Sequence, residues 1–228
     1  MKRLLIIYID AFRYDYLSEK STPFLYSLSR NGFYAPLKPI LGYTDAIKAT
    51  IFTGVYPREH GYWIMYKYSP ETSPFKIFKH LRFIDRVPSN FTISGIKFVL
   101  SATICKLLAR IHSYSELSTH NIPFSIIDSF DYTLKNSMVC RNAFHGFPTF
   151  FETLAVNSIK YSYIDCSKFG LRARFGSSTR VRKKLTKILE EVGQDTQLLF
   201  IYLHQLDNFA HRYGISSAKF SAELKKHR

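Results

Sequence analysis

Cysteine is scarce in this chain. Its three residues, Cys105, Cys140 and Cys166, are an odd count and form no C-x-x-C pair. That speaks against a zinc knuckle or a disulfide framework and fits a reducing compartment. Acids are short as well: 17 Asp and Glu stand against 32 Lys and Arg, a formal net charge of +15. Such a balance favours an anionic partner (phosphate ester, nucleic acid or lipid headgroup), although a solubilising surface gives the same excess. Long clean apolar runs are missing too. Lys97 and Lys106 interrupt the most apolar tract, "ISGIKFVLSATICKLLARI" at 93–111, whereas a bilayer span needs about 20 apolar residues. A buried or lid helix is expected there, with contact to a membrane surface through 93–111 as the alternative. The opening "MKRLLIIYID" has an apolar run too short for a signal peptide, so a cytoplasmic location is the expectation. Internal repeats and low-complexity linkers are also lacking.

What remains describes a globular chain. At 228 residues and 46% hydrophobic content it can bury the core of one sizeable domain. Sixteen Tyr and twenty Phe point to an aromatic-rich core or substrate wall. The densest basic run, "RARFGSSTRVRKKLTK" at 172–187, carries no aromatics at stacking spacing. A helix with a solvated outer face accounts for it better than nucleic acid does, and no specific nucleic-acid binding is expected.

The ends of the chain are regular. Leu4 to Ile9 is a short β-favouring apolar run that reads as a fully buried strand ending at Asp10. Pro23 opens a helix that Asn31-Gly32 closes, and residues 32–37 look extended. Thr44 reads as the N-cap of a helix that Gly54 ends. Residues 62–147 blur into helical pieces broken by Pro, Tyr and Ser, where a cap or insertion would sit. Regularity returns with a helix over 148–157, a strand over 160–164, a basic helix over 179–192 and a strand over 197–203. Strand and helix alternate at both ends, which predicts an α/β fold with a largely parallel sheet. Ligands of such sheets bind beyond the carboxyl ends of the strands. Asp10 and the "HQLDNFAH" after Leu203 belong there.

Three features there carry chemistry, and each has a plain structural alternative. Asp10 is either a ligand at the sheet edge or a strand-ending cap. Asp207 and His211 form D-x-x-x-H, whose i, i+4 spacing lets both side chains grip one cation, but a capping Asp with a surface His has the same spacing. Thr44 sits where helix N–H groups draw an anionic phosphoryl group. A metal could activate its hydroxyl, or it could simply start the helix.

Taken together, "LLIIYIDAFRYDYL", "YTDAIKATIFTGVYPREHG" and "YLHQLDNFAHRYG" resemble three signature segments of the alkaline phosphatase superfamily. The nearest branch is the type I phosphodiesterase / nucleotide pyrophosphatase family. In that branch a Thr nucleophile is followed by Thr-Gly and then x-Tyr-Pro-x-x-His-Gly; here Thr44, Thr53-Gly54 and Tyr56 to Gly61 keep the order. The third segment matches Y-x-x-x-P-D-x-x-G-H-x-x-G at Tyr202, Asp207, His211 and Gly214, with Leu206 for Pro and Ala210 for Gly. His60 in the second segment reads as a turn-packing residue rather than a ligand.

The resemblance implies an alkaline-phosphatase-like sheet sandwiched by helices. It also implies two divalent, zinc-like ions, with Asp10 and Thr44 at one and Asp207 and His211 at the other. Thr44 would attack phosphorus and form a phospho-threonine that water hydrolyses. The strands at 4–9 and 198–203 should then be parallel neighbours. The family's phosphate-holding Asn is replaced by Ile47, and Lys48 is the candidate substitute contact to substrate. Two ligands per ion fall short of the ~3 protein ligands usual for catalytic zinc. The family's later Asp-His and His ligands have no counterpart before Arg228. The expectation is therefore one incomplete catalytic domain over 1–228, the N-terminal part of a longer enzyme and by itself inactive, with 62–147 inserted. The partner expected is an anionic phosphate-ester substrate. Phosphomonoesterase, sulfatase-like and phospho-headgroup transferase chemistry are the alternatives, with Thr44 arguing against a sulfatase. A non-catalytic anion-binding relic is the reading from another class.

Overall fold

The computed structural model describes residues 2–40, 43–88, 91–115, 117–119, 122–144, 146–169 and 178–227. The first six residues of the basic run, 172–177, lie outside them. Along the chain come β1 (Leu4–Ile9), α1 (Pro23–Asn31), α2 (Thr44–Thr53) and α3 (Pro57–His60). Next are β2 (Tyr66–Tyr68), α4 (Phe91–Ile111), α5 (Phe124–Ile127), β3 (Phe130–Tyr132) and α6 (Phe150–Val156). The chain finishes with β4 (Tyr161–Asp165), α7 (Ser178–Glu191), β5 (Leu198–Leu203), α8 (Gln205–Tyr213) and α9 (Ala218–Leu224). It divides into two compact units, residues 1–39 with 154–228, and residues 40–153.

The first unit is mixed α/β. Its three strands form a parallel sheet in the order β1-β5-β4. β1 and β5 are neighbours as expected, with Leu4 opposite Leu198 and Ile9 opposite Leu203. The central β5, "LLFIYL", is laddered on both sides, so four of its six residues are buried, none is exposed, and its apolar run is continuous. β1 departs from the expectation of full burial. Among the described residues it has a ladder partner on one side only, and Leu4, Leu5 and Ile7 are each more than half exposed. Residues 32–37, read as extended, form no ladder and are loop.

Helices flank this sheet through their apolar stripes. On α7 and just beyond it, Val181, Leu185, Ile188 and Val192 recur at helical spacing and pack with Ile164, Leu199 and Ile201 of β4 and β5. The opposite face of α7 carries exposed Arg182, Lys183 and Lys187, the solvated basic face expected. Leu206, Phe220 and Leu224 of α8 and α9 close a second cluster over Ile9, Phe12 and Tyr16.

The second unit is mostly helical around an aromatic core. Phe75, Phe78, Cys105, Phe124, Ile127 and Tyr132 pack together under α4. A three-residue antiparallel ladder between β2 and β3 also crosses this unit, and sequence patterning gives no sign of it. Phe52 of α2 stands edge-to-face to Phe150 and Phe151, with ring centroids 5.5 Å and 5.0 Å away. Among the described residues no helix is long and apolar enough to cross a membrane.

Candidate active site

The carboxyl edge of the sheet in the first unit is built around Asp10. The Asp10 N–H donates to the Leu203 carbonyl at 2.8 Å, which carries the β1–β5 ladder one residue past the strand. Side chains alternate along a strand, so Asp10 falls on the face of Tyr8, and Tyr8 is in register with Tyr202. The Tyr8 and Tyr202 rings lie 5.6 Å apart. The Tyr202 hydroxyl donates to Asp10 Oδ2 at 2.6 Å, and the Ala11 N–H donates to Oδ1 at 3.1 Å. The chain then turns away sharply: Ala11 has φ 59, a left-handed conformation that costs a residue with a Cβ about 1–2 kcal/mol. Asp10 ends up 7% exposed. Buried acid, buried donor and a strained turn are a costly arrangement for a mere strand end.

Asp207 enters from the next element. It occupies the first turn of α8, where the helix dipole favours an anion. His211 lies one turn on, with its Nε2 3.5 Å from Asp207 Oδ1. Burial pushes the Asp207 carboxyl above its ordinary 3.8, Asp10's negative charge adds to the rise, and His211 acts against it. Asp10, Asp207 and His211 are thus brought to one edge. Leu206, standing where the family pattern has Pro, is fully buried against Phe220 and Leu224, and Ala210 packs on the same cluster. Both departures are accounted for by α9 lying on α8.

Two buried features of this edge have no assigned role in the sequence reading. Tyr202 is matched in the motif, but its grip on Asp10 is visible only from the strand register. His204 and Gln205 are both buried, with Gln205 Nε2 2.9 Å from His204 Nδ1. The signal available was a polar pair directly following an apolar strand. Asp165, the acid ending β4, accepts from Ser167 N at 2.9 Å and caps the short turn after it.

Thr44 and Lys48 lie in the second unit. Thr44 is the first residue of α2 and Tyr43 is the N-cap, one position earlier than the sequence reading has it. Tyr43 is extended and its carbonyl accepts from the Ala46 N–H at 2.8 Å, which starts the helix at Thr44 and puts the positive end of the helix dipole there. Lys48 is buried, and its Nζ meets Asp45 Oδ1 at 2.5 Å across one helical turn. Asp45, beside the candidate nucleophile, therefore offsets the charge of Lys48. Burial and the charge of Asp45 also push the Tyr43 hydroxyl up to about 12 and the Tyr62 hydroxyl up as well. At the other end, Gly54 closes α2 at φ 74. His60 packs the turn, as expected. Its Nδ1 accepts from Tyr62 N at 3.1 Å, its Nε2 is 3.2 Å from Thr50 Oγ1, and its ring is 5.5 Å from that of Phe144.

The donors at the sheet edge suit a divalent cation in kind, being two carboxylates and an imidazole. The like charge of Asp10 and Asp207 is the pressure that such an ion would relieve. Among the described residues, however, no group of three or more His, Cys, Asp or Glu converges closely enough to hold a metal. The fit is one of donor chemistry at Asp10, Asp207 and His211, not a completed two-ion cage.

A model of the type I phosphodiesterase / nucleotide pyrophosphatase family matches residues 4–227, and the chain belongs to that family. It is accordingly of the alkaline phosphatase superfamily and of the phosphodiesterase/pyrophosphatase type of hydrolase, a generally metal-dependent group. Comparison with curated proteins gives no match.

Proposed function

We propose that the protein hydrolyses phosphodiester or pyrophosphate bonds with Thr44 as nucleophile and Asp10, Asp207 and His211 as holders of divalent metal, zinc by donor type. The observation that carries this reading is the acid pair at the sheet edge: burial and then Asp10's charge raise the Asp207 carboxyl, and His211 Nε2 stands 3.5 Å from it. A divalent ion held by Asp10, Asp207 and His211 would supply positive charge for the phosphoryl oxygens and would help a hydroxyl lose its proton.

Each residue then has a task of its own. Tyr202 holds the Asp10 carboxylate in one orientation by donating to Oδ2, leaving Oδ1 on the side of the Ala11 turn. His211 opposes Asp207's tendency to protonate and keeps it a ligand. Thr44 Oγ bonds to phosphorus while the bond from phosphorus to the leaving oxygen breaks. The leaving group departs with that electron pair, and the hydroxyl proton passes to solvent. Water next attacks the phospho-threonine, the Oγ–P bond breaks, and Thr44 regains its proton. The positive end of the α2 dipole, at Thr44, would favour negative charge in both steps. Lys48, held by Asp45, adds a positive charge one turn into the same helix.

Steady-state assay of a chromogenic diester, a pyrophosphate and a phosphomonoester tests this. Diester or pyrophosphate turnover should depend on added zinc and vanish in Thr44→Ala. Preference for the monoester would favour the phosphomonoesterase alternative. Turnover that survives both chelation and Thr44→Ala would refute the reading.

A further inference from the structure

The second unit carries one helix whose outward face has the wrong polarity for water. α4 buries Ser101 and Cys105 and packs Leu100, Ile104 and Leu108 against the aromatic core. A helix lying on a core in this way normally turns charged and polar residues outward. Instead Ile96 (59% exposed), Val99 (63%), Leu107 (58%) and Ile111 (65%) form the outer row. At 100° per residue the four fall within about a third of the circumference, an arc they share with exposed Thr103 and Arg110. Charge along this helix is of one sign, since residues 91–111 contain no Asp or Glu. Lys97 turns toward Asp85, 3.2 Å away, while exposed Lys106 flanks the apolar row and exposed Arg110 stands within it, on a stem long enough to carry its charge to the rim.

We propose that the outer face of α4 docks on an anionic lipid surface, with the helix lying in the interface. The apolar row would enter the headgroup–acyl boundary while Lys106 and Arg110 meet lipid phosphates, the pattern by which interfacial helices bind. The span is ruled out as transmembrane, so the helix lies on the membrane rather than through it. Charge selects lipid over a second copy of the chain: self-association would bring two like-charged faces together in a chain of net charge +15. This surface is separate from the phosphate chemistry, and its test needs no turnover.

The experiment is flotation of the whole protein with phosphatidylcholine vesicles and with vesicles also containing phosphatidylglycerol. Binding is expected to the anionic vesicles only. Each basic residue near such a surface contributes about fivefold, so Lys106→Gln with Arg110→Gln should weaken binding roughly 25-fold. Val99→Ser with Leu107→Ser should remove most of it, and because both positions are exposed the circular dichroism melt should hardly move. A polarity-sensitive dye at Leu107→Cys, in a Cys140→Ser background, should blue-shift on the anionic vesicles and gives a readout that does not depend on those variants. Failure to bind anionic vesicles overturns the proposal. So does binding that the Val99/Leu107 variant retains in full, which would place the contact elsewhere on the basic surface. A dimer dissolved by the same variant, without vesicle binding, would assign the face to a second copy and overturn it as well.

Discussion

Tyr202→Phe isolates the contact on which the edge of the sheet depends. The substitution removes one hydroxyl and keeps the ring beside Tyr8, so packing is conserved. What is lost is a 2.6 Å bond donated to a carboxylate, with both partners nearly buried. Hydrogen bonds to charged groups are worth about 1.5–3 kcal/mol, and loss of one partner leaves the other to bear its desolvation. A cost of about 2 kcal/mol follows, or ~4–8 °C of melting temperature for a chain of this size. If Asp10 is a metal ligand, Tyr202 is the group that orients it, and loss of such a group typically lowers metal affinity ~10–100-fold. Denaturant unfolding without metal and zinc titration calorimetry read the two effects separately. A loss of stability with unchanged zinc affinity would leave Asp10 a structural cap. No change in either would refute the reasoning altogether.

Asp207→Asn should stabilise the metal-free protein at neutral pH. The folded Asp207 carboxyl is raised, so it holds its proton longer than in the unfolded chain, and its contribution falls as pH climbs from the ordinary 3.8 through the raised value. Denaturation with and without the substitution at about pH 4 and pH 7 checks the sign, which should appear only at the higher pH. His60→Ala should cost ~1–3 kcal/mol by severing the Thr50–His60–Tyr62 link. It should leave zinc binding intact, whereas lost zinc affinity would make His60 a ligand after all. Burial holds the His60 imidazole below its ordinary 6.5, so the stability it lends is lost as pH falls from 6.5 through the folded value, measurable by melts across that range. Gly54→Ala should cost about 1 kcal/mol through its left-handed φ of 74 alone, since nothing lies within 4 Å of an added Cβ. A neutral result in thermal melts would contradict that backbone account.

The outer elements were legible because their periodicity is local. Val181, Leu185, Ile188 and Val192 declare a helix by spacing, and "LLFIYL" declares a two-sided strand. The edge position of β1 was not legible, because an apolar run reads the same whether one or two neighbours flank it. β2 and β3 are three residues each, shorter than any reliable alternation, and pair across some sixty residues of chain. At the candidate site, the nearness of Asp207 and His211 was legible because helical spacing brings them together. The Tyr202–Asp10 bond joins residues 192 apart in sequence and needed the β1–β5 register to appear. Lys48 was readable as a cation near Thr44. Its pairing with Asp45, which holds the cation in place, needed the structure to appear.

Thr44 is the claim on which the chemistry turns, and covalent trapping tests it most directly. The protein is mixed with zinc and a chromogenic diester, quenched in acid within a single turnover, digested and examined by peptide mass spectrometry. The account predicts a phosphoryl adduct on the peptide bearing Thr44, formed no more slowly than product and absent from Thr44→Ala. Turnover without any adduct, or an adduct on a different residue, would contradict it.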